Sequence, residues 1–366
     1  MPTITVVGGT WDDNGGDESS VIKRISHGLT AEHLLGIEIF NGGSFQKLDH
    51  VFRLLKDSDA VLWMPNISNT HPKQYIQTMK KVYPKLMLVS SKRNFDNQYS
   101  FQDVVAHGLN IKSNLILEIK RRGDYYTGEL LDPLGNVWCP ETPNFFAIGL
   151  FMARRLKELM SITRQATIQS PEDAIPMYDN ASFDLAHFFA TVKRKAEVFH
   201  ELIHPAEGVT RFLGNSSFRC ERGFPSVKLH EGIYVSRRNV DKRYIGPEAF
   251  VHTGWNKEQN IIWYRGDHKP SVDTPIQLRL YDMVPSWVRY MLHSHVYILG
   301  APYTSKMIPC GGLEEVDEIM KIVNSMEEPN MTCYAINLKG HGSIIMARSP
   351  SYFDVEYVSR PMPEYM

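Results

Sequence analysis

The sequence is short of the features that would place it quickly. Its 366 residues hold four cysteines, Cys139, Cys220, Cys310 and Cys333, and no two of them form a CxxC pair. That spacing suggests neither a disulfide framework nor a cysteine zinc site, and the four thiols are expected to be buried small hydrophobes. No run approaches the roughly 18 uncharged apolar residues of a membrane span. The N-terminal "MPTITVVGGTWDD" has no basic region followed by a long apolar one, so the expectation is a cytoplasmic protein without a membrane partner. An excess of one charge is also missing. The formal net charge is −1, so no broad field draws the chain to nucleic acid. The sequence shows no internal repeat or low-complexity segment.

What is present is an ordinary globular composition, 43% hydrophobic and 22% charged. The chain is longer than single hydrophobic cores usually grow, which predicts two domains. Short β-rich runs recur through the first half: "ITVVGG" at 4 to 9, "IEIF" at 37 to 40, "AVLWM" at 60 to 64, "LMLVS" at 86 to 90 and "LILEI" at 115 to 119. Helix-sized segments separate them, which implies crossover connections and a parallel sheet. Residues 1–160 are therefore read as a doubly wound α/β domain of flavodoxin-like outline, ending in the helix "NFFAIGLFMARRLKELM".

The pattern then breaks. Residues 161–182 are polar, carry two prolines and keep no period, as expected of a linker. The amphipathic run "SFDLAHFFATVKRKAEVFHELI" follows, predicted as a helix capped near Asn180 or Ser182 with Leu185, Phe188, Phe189, Val192, Ala196, Phe199 and Leu202 on its buried side. Strand-like runs dominate from 208 onward, which makes 183–366 a second α/β unit.

Chemistry concentrates in that second unit. "YMLHSHVYI" at 290 to 298 sets two histidines one residue apart in an apolar run. On a strand His293 and His295 project to one side. Such a pair serves either as a hydrogen-bonded cluster or as half of a metal site. His341 sits between Gly340 and Gly342 at the tip of the hairpin "AINLKGHGSIIMA", either a third ligand or a solvated turn residue. Asp273 precedes a helix predicted to be capped by Thr274 with Pro275 at its first position. It is either a carboxylate favoured by the helix dipole or one folded back toward the histidines. Three neutral imidazoles leave a divalent ion open positions for water or substrate oxygens, and a nearby carboxylate can move protons.

"FLGNSSFR" at 212 to 219, "PSVD" at 270 to 273, "LHSHV" at 292 to 296, "MIPCGGLEEVDEIM" at 307 to 320 and "AINLKGHGSII" at 335 to 345 resemble, in order and spacing, the motifs of the class II aldolase/adducin family. The likeness is to its fuculose-phosphate aldolase and ribulose-phosphate 4-epimerase branches, and it covers about residues 180 to 350. It implies a class II aldolase-like domain in which His293, His295 and His341 hold a divalent metal, usually Zn2+. Asp273 falls where the family's acid/base glutamate stands, one methylene shorter. Asn215, with Gly214 before it, matches the loop that helps hold the phosphate or the enediolate. Ser236 falls in the phosphate loop, where "SRR" replaces the usual Ser/Thr-Gly; Arg237 and Arg238 there are either phosphate ligands or a solvated pair. A counterpart of the family's catalytic tyrosine is not apparent. The implied activity is metal-dependent retro-aldol cleavage of a phosphorylated sugar, with 4-epimerisation, decarboxylation or a non-catalytic binding role as alternatives. The family also implies a homo-oligomer, commonly a tetramer.

The first unit gives a weaker signal. "GGTWDDNGG" at 8 to 16 reads as a glycine-rich turn, able to bring amides to an anion or simply to turn. Polar sets also follow two other strands, Asn66, Ser68 and Asn69 after one and Ser90, Lys92 and Arg93 after the next. In open parallel sheets ligands sit at the carboxyl ends of strands, so these loops are expected to line one crevice for a polar ligand.

Overall fold

The structure, a computed structural model, describes residues 1–67, 72–162, 167–169, 185–206, 214–219, 232–256, 258, 261–265, 268–326 and 330–359. The chain divides into two compact units, one formed mainly by Met1–Ser161 and the other by Ile162–His204 with Thr210–Met362. Both are mixed α/β.

In the first unit the chain runs β1 (Thr3–Asp12), α1 (Ser20–Thr30), β2 (Gly36–Ser44), α2 (Phe45–Leu54), β3 (Ala60–Trp63), β4 (Asn66–Ile67), α3 (Pro72–Val82), β5 (Met87–Asn94), α4 (Phe101–Asn110), β6 (Leu115–Arg122), β7 (Tyr125–Leu131), β8 (Val137–Thr142) and α5 (Phe145–Ser161). The sheet order is β2-β1-β3-β5-β6-β7-β8, with β4 also paired to β1. The strands from β2 to β6 run parallel, and β7 and β8 continue antiparallel. Alternation along the parallel strands produces two apolar faces. Ile4, Val6, Leu62, Val89 and Leu117 face α1 and α5, whereas Val7, Val61 and Leu88 face α2 and α3. That arrangement is a doubly wound sheet.

Two expectations for this unit need correction. The first strand does not stop at residue 9 but continues to Asp12, because Trp11 and Asp12 pair with Gly43 and Ser44 of β2. The glycines serve that close approach. Gly9 has φ of +73°, and a Cβ there would lie 2.5 Å from the Gly42 nitrogen. A Cβ on Gly16 would lie 2.0 Å from the Thr10 carbonyl oxygen, so only glycine allows the backbone to close up there. Residues 90–94, read as a loop, are likewise strand, held by β6 as far as Lys120.

The second unit contains β9 (Thr167–Gln169), α6 (Leu185–Ile203), β10 (Asn215–Arg219), β11 (Ile233–Ser236), β12 (Phe250–Asn256), β13 (Ile261–Arg265), α7 (Thr274–Met283), β14 (Tyr290–Ser294), β15 (Tyr297–Ile298), α8 (Glu314–Ser325), β16 (Cys333–Leu338), β17 (Gly342–Ala347) and β18 (Tyr357–Val358). Its main sheet has the order β16-β17-β14-β10-β11-β12-β13-β9. Every pairing is antiparallel except that of β9, which runs parallel to β13 from within the stretch read as a linker. Met291, Ile336, Ile344 and Met346 pack beneath α7 and α8. Phe218, Tyr290, Leu292 and Ile345 pack on the opposite face with Leu185, Phe188 and Val192 of α6. The predicted caps of α6 lie outside the described residues. α7 starts one residue earlier than the Thr274 cap predicts: Asp273 is its N-cap, with Pro in the first turn.

Candidate metal centre

The centre lies on the α7/α8 face of the second sheet, where three separate stretches bring imidazoles together. β14 delivers His293 next to Met291 on that face, and His295 follows one residue past its end. The β16–β17 hairpin delivers His341. Its backbone N–H donates to the Leu338 carbonyl at 2.9 Å, and Gly340 and Gly342 on either side have φ of +68° and +136°. β14 and β17 are direct neighbours, with Ser294 opposite Ser343. The three rings consequently lie with centroids 5.0, 4.7 and 5.1 Å apart. One ligating nitrogen from each lies within 4.8 Å of the others. His341 is not a solvated turn residue, being 1% exposed.

Hydrogen bonds fix the tautomers that matter. His293 Nδ1 donates to the Ser343 carbonyl at 2.9 Å, which leaves its Nε2 as a lone pair. That atom is buried and has no hydrogen-bond partner among the described residues. His341 Nδ1 donates to Glu315 Oε1 at 2.7 Å. Its Nε2 lies 3.1 Å from the Cys310 sulfur. Burial, reinforced by His341, pushes the His293 pKa down to about 4. At His341 burial works against the charged ring, but Cys310 and Glu315 outweigh it and hold the pKa well above the ordinary value. Burial pushes the Glu315 carboxyl and the Cys310 thiol up.

Asp273 approaches from the start of α7. Its Oδ2 accepts from Asn215 Nδ2 at 2.9 Å and lies 3.9 Å from His293 Nε2. Its Oδ1 is buried without a hydrogen-bond partner among the described residues. Asn215 Oδ1 in turn accepts from Gln277 Nε2, one turn along α7. The carboxylate is therefore held from behind by an amide relay while one oxygen is left uncommitted. A buried polar atom in that state costs on the order of 1–3 kcal/mol, and three such atoms, His293 Nε2, Asp273 Oδ1 and Gln277 Oε1, occur in one cluster. Imidazole nitrogens, a carboxylate oxygen and a thiol form a donor set that fits a divalent ion.

The other sequence-selected residues are placed as follows. Gly214 has φ of +77°, and a Cβ there would lie 2.6 Å from the His293 carbonyl oxygen; it lets β10 close on β14. The Asn215 side chain is engaged with Asp273. Ser236 Oγ is fully buried and accepts the Ser216 amide at 3.2 Å. The chain around Arg237 and Arg238 is tied by backbone hydrogen bonds to Lys269 and Ser271, just ahead of Asp273. In the first unit, Arg93 Nη1 donates to Asn66 Oδ1 at 3.0 Å, which joins two strand ends. Ser90 points inward, its Oγ accepting from Ser113 at 2.6 Å, and Lys92 Nζ lies 3.5 Å from the Tyr99 ring centroid. Ser68 and Asn69 lie outside the described residues.

Three residues were missed. Glu315 and Cys310 lie in the quoted run "MIPCGGLEEVDEIM", and the expectation for Cys310, a buried small hydrophobe, is overturned by its contact with His341. Lys242 is the third. Burial lowers its ammonium pKa to about 8, against the opposing pull of Asp241 and Asp273. An acidic residue followed by a basic one in "NVDKRY" carries no signal that would have singled it out.

No family model matches the chain, and no curated protein matches it. Solved structures that it resembles include the DNA/pantothenate metabolism flavoprotein of Streptococcus pneumoniae, at 10% identity and a TM-score of 0.32 over 43% of this chain and 99% of that one. The C-terminal domain of the coenzyme A biosynthesis bifunctional protein CoaBC matches at 11% identity and a TM-score of 0.32, over 43% of this chain and 95% of that one. L-fuculose 1-phosphate aldolase matches at 13% identity and a TM-score of 0.31, over 46% of this chain and 79% of that one. Among the described residues no helix is long and apolar enough to cross a membrane.

Proposed function

We propose that the second unit is a metal-dependent carbon–carbon lyase that cleaves a phosphorylated ketose by a retro-aldol reaction. The observation that carries this reading is the convergence of His293, His295 and His341 beside Asp273, with His293 Nε2 and Asp273 Oδ1 buried and uncommitted. The order of the sequence motifs supports it. A divalent ion such as Zn2+, held by the three histidines, would supply Lewis-acid stabilisation for the negative charge left on the ketose oxygens when the bond breaks.

The chain's own groups do the rest. Asp273 Oδ1 takes the proton from the hydroxyl on the carbon that leaves as aldehyde, and returns it to the carbon that keeps the electron pair. Asn215 and Gln277 keep that carboxylate from rotating out of reach. Positive charge for a phosphate is available at Arg238 and Lys242, both of which Asp273 makes more basic in opposition to the lowering effect of burial.

The test is a panel of ketose phosphates incubated with chelator-treated and zinc-reconstituted protein. Metal-restored release of dihydroxyacetone phosphate or glycolaldehyde phosphate is expected. An epimeric ketose without net cleavage would assign the same chemistry to 4-epimerisation. A fully metal-loaded protein inert toward the whole panel would sink the lyase reading.

A further inference from the structure

We propose that Cys310 is itself a ligand of the metal held at His341, bound through its thiolate, and that this sulfur makes the centre selective for thiophilic ions of the zinc type over magnesium or manganese. The inference rests on the metal-site reading above and adds a donor that three histidines and a carboxylate do not supply.

The geometry is specific. One turn and the start of α8 address both nitrogens of a single ring: Cys310 Sγ lies 3.1 Å from Nε2 and Glu315 Oε1 lies 2.7 Å from Nδ1. Gly311, with φ of +79°, lets the chain reverse between them. Because Nδ1 is turned to Glu315, Nε2 is the nitrogen of His341 left to face an ion, and the sulfur sits beside the atom through which that histidine would bind it.

Ligand atoms of Asp273, Cys310 and His341 all lie within 4.8 Å of one another, in a second set that shares His341 with the all-histidine set. Asp273 Oδ1 is buried and lacks a hydrogen-bond partner among the described residues, an independent sign that this set is arranged for an electrophile. Cys139 packs in the apolar core of the first unit, its Sγ donating to the Pro140 carbonyl at 3.7 Å, and neither it nor Cys333 belongs to a metal-capable group among the described residues. Coordination exchanges the S–H bond for an S–metal bond and releases one proton to solvent. Thiolate donors favour zinc-like ions, whereas magnesium and manganese favour oxygen donors.

The experiment is cobalt substitution of the full-length protein, read by absorption and by metal content. Cobalt bound through sulfur gives a near-ultraviolet charge-transfer band in addition to the visible ligand-field bands. The band is expected in the unaltered protein. It should persist in Cys139→Ser, Cys220→Ser and Cys333→Ser, and disappear in Cys310→Ser while one cobalt per chain is retained. Stoichiometric cobalt without the band in the unaltered protein overturns the thiolate assignment and leaves the histidine site standing. Failure to bind cobalt at all overturns the metal-site reading itself. The unaltered-protein spectrum decides the matter even if Cys310→Ser does not fold.

Discussion

Glu315 and His341, 26 residues apart in sequence, are joined by a buried 2.7 Å hydrogen bond from Nδ1 to Oε1. A carboxylate behind a ligating imidazole sets its tautomer and raises its basicity, and losing such a partner typically weakens metal affinity by about 10–100-fold. Glu315→Gln retains an acceptor for the Nδ1 proton but removes the charge. It should fold and weaken zinc binding about tenfold, measured by competition with a chromophoric chelator. Unchanged zinc affinity would mean that the carboxylate has no part in the centre.

Gly342 carries the hairpin past β14 with φ of +136°. A Cβ there would lie 2.0 Å from the Ser294 carbonyl oxygen and 2.6 Å from the His295 Cα. Backbone cannot yield as a side chain can, so Gly342→Ala must push β17 away from the strand that bears His293. The expected loss is on the order of 2 kcal/mol or more, together with impaired metal binding, because His341 and His295 both move. Denaturant unfolding and metal titration of the variant check the two effects separately.

Much of this was legible locally. The strands of the first unit showed as apolar runs spaced by helices, and His293 with His295 showed as a pair on one side of a strand, because both signals repeat within a few residues. What escaped depends on partners far away in sequence. Cys310 looked like a lone small hydrophobe until the hairpin brought His341 to its sulfur. Glu315 stood unremarked inside the run "MIPCGGLEEVDEIM", since a short motif does not say which of its atoms meets a histidine 26 residues on. Glycines 8 to 16 suggested a turn because the sequence does not reveal that Gly42 and Gly43 lie against them. Asn215 was visible through its motif, yet its link to Gln277 was not.

His293 gives the metal-free protein a pH signature. Burial pushes its pKa from the ordinary 6.5 to about 4. Below pH 6.5 the unfolded chain takes up a proton that the folded chain refuses until about 4. The unfolded state binds more protons in that window, so stability falls as the pH falls, by about 3 kcal/mol over the full interval. The raised pKa of His341 acts in the opposite sense, and above 6.5. Urea unfolding of chelator-treated protein at pH 7, 6, 5 and 4.5 should therefore show a steeper loss of stability than His293→Gln. Parallel curves for the two proteins would mean that the ring is not kept neutral by the fold.

Asp273→Asn separates proton transfer from metal binding. The variant side chain is isosteric, and its amide oxygen can still accept from Asn215 Nδ2, now 2.9 Å from the carboxylate, so the relay through Gln277 survives. The amide cannot carry a proton between a hydroxyl and a carbon. Loss of a positioned acid/base group typically costs about 100-fold or more in turnover. The expected outcome is therefore full zinc content, little change in KM and a fall of that size in kcat for chelator-sensitive cleavage. Two control results discriminate the alternatives. If zinc content falls along with kcat, Asp273 acts mainly as a ligand, as its place in the set with Cys310 and His341 would allow. If kcat is unchanged, another group moves the proton; Lys242, whose pKa of about 8 leaves it able to give up a proton near neutral pH, is then the residue to replace, with Lys242→Met as the variant.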